Sequence, residues 1–184
     1  MMIQIKAVEK KRIPELVRYV MEFRKELFPM IDHSTLPHDL SHFEASYVED
    51  ENAVFLIATD KSDQIVGTVG MRTFDHRFAH LNYKGQLTTE VQKLYVEPAF
   101  RKIGLGTRLV RALREEAEHK GIETLYLHTH PFLFGAQEFW AKQGFRLNCQ
   151  DETPVYRTIH MDLQLQESMK HSIYHVNSQE LLLT

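Results

Sequence analysis

The stretch from Glu90 to Lys120 constrains this chain more than any other. Val91, Leu94, Tyr95 and Val96 are strand formers, and Pro98 ends regular pairing because it lacks an N–H. Arg101, Gly104 and Gly106 follow. Behind them Leu105, Leu109, Ala112, Leu113 and Ala117 recur along one helix face. A turn with two glycines lets backbone N–H groups approach a ligand, and the helix after it points its positive end at the same place. An anion, most simply a pyrophosphate, suits such a turn.

Two common phosphate motifs are absent: the six-residue glycine fingerprint with its ribose-binding acid, and the glycine-lysine-serine/threonine end of a P-loop. What is present, a strand, Glu97-Pro98, then Arg101-x-x-Gly104-x-Gly106, resembles the acyl-CoA loop of the GCN5-related N-acetyltransferase (GNAT) superfamily. The resemblance is residue-specific over 90–145 and extends in element order over 2–165. It implies an α/β (α+β) acyl-CoA N-acyltransferase fold, a mixed and mostly antiparallel sheet flanked by helices and splayed at its central strand.

The rest of the chain reads in the same order. Residues 2 to 8 alternate as a strand. Leu16, Val20, Phe23 and Leu27 mark a helix opened near Pro14 and stopped by Pro29, and Asp39 to Val48 a second helix. Ala53 to Ala58 and Ile65 to Thr73 form a hairpin, and residues 75 to 88 a long loop of the kind that carries function. After the central strand and helix, Gly121 suits a helix C-terminus and Glu123 to His128 a strand. Pro131 can open a short helix with Ala136, Phe139 and Trp140. Phe145 to Cys149 and the alternating run from Val155 to Leu165 complete the sheet. Residues 1–165 make one domain, and the tail, 166–184, is apolar enough to pack on the domain or on a second subunit.

On the family pattern the pyrophosphate of acetyl-CoA lies on amides around Lys102, Gly104, Gly106 and Thr107, with Arg101 at the start of the turn. Leu94 and Val96 pair with the pantetheine arm, and the Val96 N–H stabilises the oxyanion during attack. An acceptor amine must lose a proton before it attacks. Glu90, 11 residues before Arg101, is the candidate base, its other reading being a structural ion pair. The family's tyrosine acid falls on Trp140 and its asparagine on Leu133. Tyr126 or Tyr95 can stand in, or the thiolate leaves unaided as an already stable anion. Arg24, Arg72, Arg77 and Tyr83 are candidates for acceptor binding.

Two histidine pairs, His38 with His42 and His128 with His130, lack the cysteines or the His-Glu-x-x-His spacing of a zinc site, so no metal is expected, while His128 and His130 sit where proton transfer is needed. A net charge of -3 with no basic stripe argues against nucleic acid. Cys149 is the single cysteine, the start of the chain lacks the pattern of a signal peptide, and the longest apolar run falls well short of the roughly 20 residues of a membrane span. A cytoplasmic N-acetyltransferase is implied, acting on a primary amine of a small molecule or peptide and forming dimers as many relatives do. A noncatalytic acyl-CoA-binding regulator, or a domain using the glycine turn only structurally, are the other readings.

Overall fold

The computed structural model describes residues 2–152 and 157–165. One seven-stranded sheet runs, in spatial order, β1 (Gln4–Ala7), β2 (Val54–Thr59), β3 (Ile65–Thr73), β4 (Thr88–Val96), β5 (Thr124–Thr129), β7 (Ile159–Gln164) and β6 (Arg146–Gln150). Every neighbouring pair is antiparallel except β4 and β5. A parallel pair needs a crossover, which α4 (Leu105–His119) supplies.

That parallel pair is short. Its register runs from Thr88 opposite Thr124 to Glu90 opposite Tyr126. Past this point β4 departs from β5. On its other side β4 carries a bulge: the register against β3 shifts between Thr68 and Gly70, Lys93 adopts φ 55°, and the Thr68 hydroxyl donates to the Lys93 carbonyl at 2.7 Å. A bulge bends its strand and sharpens the local twist. The sheet therefore opens as a V at its centre.

On one face α4 buries Leu105, Leu109, Leu113 and Ala117 against Val69, Met71, Val91, Leu125 and Met161. Each fully buried leucine there contributes about 1.5–3 kcal/mol relative to exposure. The opposite face has two covers. Over β2 to β4 lie α1 (Ile13–Leu27), α2 (His38–Ser41) and α3 (Phe43–Tyr47), with Leu16, Val20, Phe23, Phe43 and Tyr47 packed on Phe55, Ile57 and Tyr95. Over β5 the 74–87 loop buries Phe74, Leu81 and Tyr83 against Tyr126. The long loop is thus anchored by its own small core.

Three expectations need correction. The helix expected over Asp39 to Val48 is two short helices, because His42 sits at φ -117°, ψ 48° and the Ser41 hydroxyl takes the His38 carbonyl at 2.9 Å. Such side-chain bonds compete with helix continuation. Pro131 does not open a helix. Turns bonded from Leu133 N–H to His130 and from Ala136 N–H to Leu133 intervene, and α5 (Ala136–Lys142) starts after Gly135 at φ 77°. The final strand begins at Ile159, since Arg157 has φ 45°; Val155 and Tyr156 lie outside the described residues, as does the 166–184 tail. Among the described residues no helix is long and apolar enough to cross a membrane.

Candidate active site

Two glycines shape the start of α4 for different reasons. Gly104 caps the helix at φ 80°, a conformation that side chains with a Cβ resist. Gly106 sits in a tight place: a Cβ there would meet the Phe139 ring at 3.3 Å, so the ring would have to give slightly, and would touch Val96 Cγ2 at 3.9 Å. No side chain caps the helix, and the first intrahelical bond that closes on Gly104 comes from Arg108. The N–H groups of Leu105, Gly106 and Thr107 therefore belong to the first turn that an α-helix leaves unbonded, and they lie at the positive end of its dipole.

These residues line one end of a cleft of about 980 Å³ that fills the V between β4 and β5. Arg101, Lys102, Gly104, Gly106 and Thr107 border it, as do Leu94 and Val96 along β4. Glu97 donates its N–H to Val66 on β3 at 3.0 Å. Since main-chain groups alternate sides along a strand, those of Val96 and Leu94 face the cleft. Arg101 is exposed but tethered: its Nε donates to the Val96 carbonyl at 2.8 Å and its guanidinium lies 5.4 Å from the Tyr95 ring centre. The seven residues expected to bind the co-substrate thus share one wall.

Glu90 lies beyond the closed end of the V and is fully buried. Arg77 grips it with two bonds of 2.7 and 2.5 Å, Gln92 Nε2 donates to it at 2.7 Å, and His128 Nδ1 lies 3.0 Å from Oε1. Burial alone would push this carboxyl up. The hydrogen bonds from His128 and Arg77, with the positive charge close by, outweigh burial and bring it down to about 2. A carboxylate so held is an acceptor and an anchor. His128, partly exposed, lines the cleft itself, so the imidazole stands between the carboxylate and the open space.

The four candidates for acceptor binding separate. Arg24 lines the cleft and contacts His33 Nδ1 at 3.0 Å. Arg77 is committed to Glu90 and to Asp75. Tyr83 is buried, donating to Asp162 at 2.9 Å. Arg72 faces Asp75 at 3.4 Å. None of these last three borders the cleft: Arg72 lies near the end of β3, and the loop that carries Arg77 and Tyr83 is packed down on β5 instead of bending over the opening.

Of the stand-ins for the missing tyrosine, Tyr126 is fully buried with its hydroxyl 2.7 Å from His160 Nδ1, outside the cleft lining. Tyr95 does line it. Its ring stacks on Phe23, its hydroxyl donates to Glu26 at 3.2 Å, and burial pushes it up to about 12. Trp140 is buried, packs edge-on against Phe145 in the core and borders the cleft. His38 and His42 are exposed and stacked on each other at 4.4 Å.

Some lining residues were not singled out from sequence. Phe28 and Phe132 form an aromatic wall with His130, and the apolar run after Pro131 was the available signal. Lys93 is mostly buried and paired with Asp39, with its Nζ donating to Gln92 Oε1 at 3.2 Å. Nothing in the sequence marks Lys93 as the bulge residue.

A mixed sheet opened at its centre onto an uncapped helix start is the framework of an acyl-CoA-binding fold. The model of the acetyltransferase (GNAT) family matches residues 17–145, and the chain belongs to that family. Enzymes of this family use acetyl-CoA as co-substrate. Among solved structures, the fold is shared with a GNAT-family acetyltransferase from Staphylococcus aureus at 22% identity and TM-score 0.72, over 89% of this chain and 99% of that one. It is also shared with the PaiA N-acetyltransferase from Thermoplasma acidophilum in complex with coenzyme A, at 18% identity and TM-score 0.66, over 89% and 99%. An aminoglycoside 6'-N-acetyltransferase complexed with coenzyme A aligns at 18% identity and TM-score 0.65, over 88% and 97%. No curated protein sequence matches the chain.

Proposed function

We propose that this protein transfers an acetyl group from acetyl-CoA to a primary amine of a small molecule or peptide by direct attack. The observation that carries the reading is the continuous cleft from the uncapped turn at Gly104 and Gly106, along Leu94 and Val96, to His128. The amides of Leu105, Gly106 and Thr107, with Lys102 and Arg101 alongside, receive the pyrophosphate. The main chain of Leu94 and Val96 holds the pantetheine arm in the place of a missing strand.

Glu90 and His128 act together in this scheme. The ionised Glu90 has no proton to give, so the Nδ1 of a neutral His128 carries the hydrogen and its Nε2 keeps a lone pair. His128 takes the proton that the acceptor ammonium must shed, and Glu90 fixes the tautomer and steadies the resulting imidazolium. The amine nitrogen bonds to the acetyl carbon, and the Val96 N–H meets the oxygen on which charge collects. The carbon–sulfur bond then breaks, the electron pair leaves with the sulfur, and the second proton on the attacking nitrogen passes to the departing thiolate, so no separate side-chain acid is needed.

Trp140 in place of a phenol favours one second reading, a noncatalytic acyl-CoA-binding regulator. Titration with acetyl-CoA and with CoA, followed by thiol release over a panel of amines, separates the two. Binding with turnover supports the enzyme, binding without turnover on any amine supports the regulator, and no binding of either ligand overturns both. With the enzyme reading go a cytoplasmic setting, no nucleic-acid or membrane partner, a single 1–165 domain, and a 166–184 segment that packs on the domain or forms part of a homodimer contact.

A further inference from the structure

On the sheet face away from α4, three side chains from separate parts of the chain converge outside the cleft. His80 comes from the long loop, Cys149 from β6 and His160 from β7, and one ligand atom of each lies within 4.8 Å of the others. Cys149 and His160 are direct register partners, so their side chains leave the same face of the sheet. Asp151 adds a fourth donor, its Oδ1 lying 3.2 Å from His160 Nε2 and 3.7 Å from His80 Nε2.

The geometry points to a zinc-class divalent metal site formed by His80, Cys149, His160 and Asp151. One thiolate, two imidazoles and one carboxylate make a four-donor set of the kind tetrahedral zinc takes. Donors around one zinc stand roughly 3.3–3.8 Å apart, so the His80, Cys149 and His160 atoms close on an ion with side-chain movements of about 1 Å, and Asp151, already beside both histidines, completes the set by turning its carboxylate toward it. His160 also has the outer partner that ligating histidines require. Its Nδ1 is 2.7 Å from the buried Tyr126 hydroxyl, which holds the ring and leaves Nε2 on the side of Asp151.

The position gives the ion a structural task. His80 is the one ligand on the 74–87 loop, which also carries Arg77 to Glu90, and Phe78 between them packs on the rings of both His160 and His128 at 4.8 and 5.7 Å. A bound metal therefore pins the loop to β6 and β7 and stiffens the support of Glu90. This task holds whether or not the cleft catalyses acetyl transfer.

The test uses full-length protein without a histidine tag, stripped by chelator and titrated with cobalt(II) and then zinc. One cobalt per chain is expected, with the visible bands of a tetrahedral site and a thiolate-to-cobalt charge-transfer band, both lost on adding zinc. Cys149→Ser should remove the charge-transfer band. His80→Gln, a change at a half-exposed side chain with the fold checked by circular dichroism, should abolish the tetrahedral bands. Zinc should raise the melting temperature of the wild type and of neither variant. Absence of one-to-one binding, a charge-transfer band that persists in Cys149→Ser, or unchanged metal binding in His80→Gln would each overturn the assignment.

Discussion

His128 Nδ1 lies 3.0 Å from Glu90 Oε1, which places a fully buried carboxylate directly behind an imidazole that borders the cleft. Two of the hydrogen-bond partners of Glu90 border the cleft, His128 and Gln92, and of these only His128 can take up a proton, since Gln92 and Arg77 are donors that hold the carboxylate in place. The carboxylate is thus read as an orienting group and the imidazole as the proton acceptor.

This division of roles predicts that His128→Gln lowers kcat by about 100-fold or more, the range expected for losing a positioned base, while acetyl-CoA affinity measured by calorimetry stays close to wild type. Equal losses in kcat and in acetyl-CoA affinity would show that His128 mainly shapes the pocket.

Glu90 also makes stability depend on pH. Its folded-state value of about 2 is below the ordinary 4.5, so it stabilises the fold fully above about pH 4.5. That contribution is lost as pH falls from there toward about 2. Urea midpoints measured across this window should drop with acid in the wild type and drop less in Glu90→Gln, which should be less stable than wild type at pH 7 because Arg77 loses its buried partner and keeps only Asp75. Parallel acid profiles in the two proteins would remove Glu90 as the source.

Gly106→Ala places a methyl group 3.3 Å from the Phe139 ring. Overpacking of this kind costs about 1–3 kcal/mol, and urea denaturation should show it together with weaker CoA binding. Phe139→Leu in the same chain should restore part of both. A Gly106→Ala protein with wild-type stability and affinity would show that the turn tolerates a side chain.

Lys93 and Asp39 are an ion pair with side chains 15% and 13% exposed. Breaking such a pair from one side costs about 3–5 kcal/mol because the other charge stays buried. Asp39→Ala should therefore destabilise strongly, and adding Lys93→Met should recover much of the loss in a thermal melt. Additive losses in the double variant would mean that the two residues act independently.

Local patterns exposed much of this molecule in advance. The strands β2 to β5 follow from runs of apolar and β-branched residues and helices α1 and α4 from a helical period, and the α4 turn follows from Gly104 and Gly106. The candidate site was legible only where it is local. Leu94, Val96 and the 101–107 turn are neighbours in sequence, and they meet along one wall. Arg77 on Glu90, Tyr83 on Asp162 and the Lys93 bulge depend on how a 14-residue loop and a distant strand pair. No period or spacing encodes such long-range contacts. The break at His42 was missed for a different reason: Leu40, Phe43 and Tyr47 keep a helical spacing across it, so the apolar pattern survives where the backbone does not.

The V between β4 and β5 leaves two sheet edges inside the molecule, with strand backbone that no neighbouring strand covers beyond Glu90. Exposed edges of this kind invite pairing with other chains. On the proposed reading, the co-substrate that reacts in the cleft also shields it, so protein kept with CoA should melt higher and aggregate more slowly than protein stripped of it. The opening that admits the acyl donor is then also where the empty protein is most vulnerable, and cellular acyl-CoA levels set how often that vulnerability is exposed.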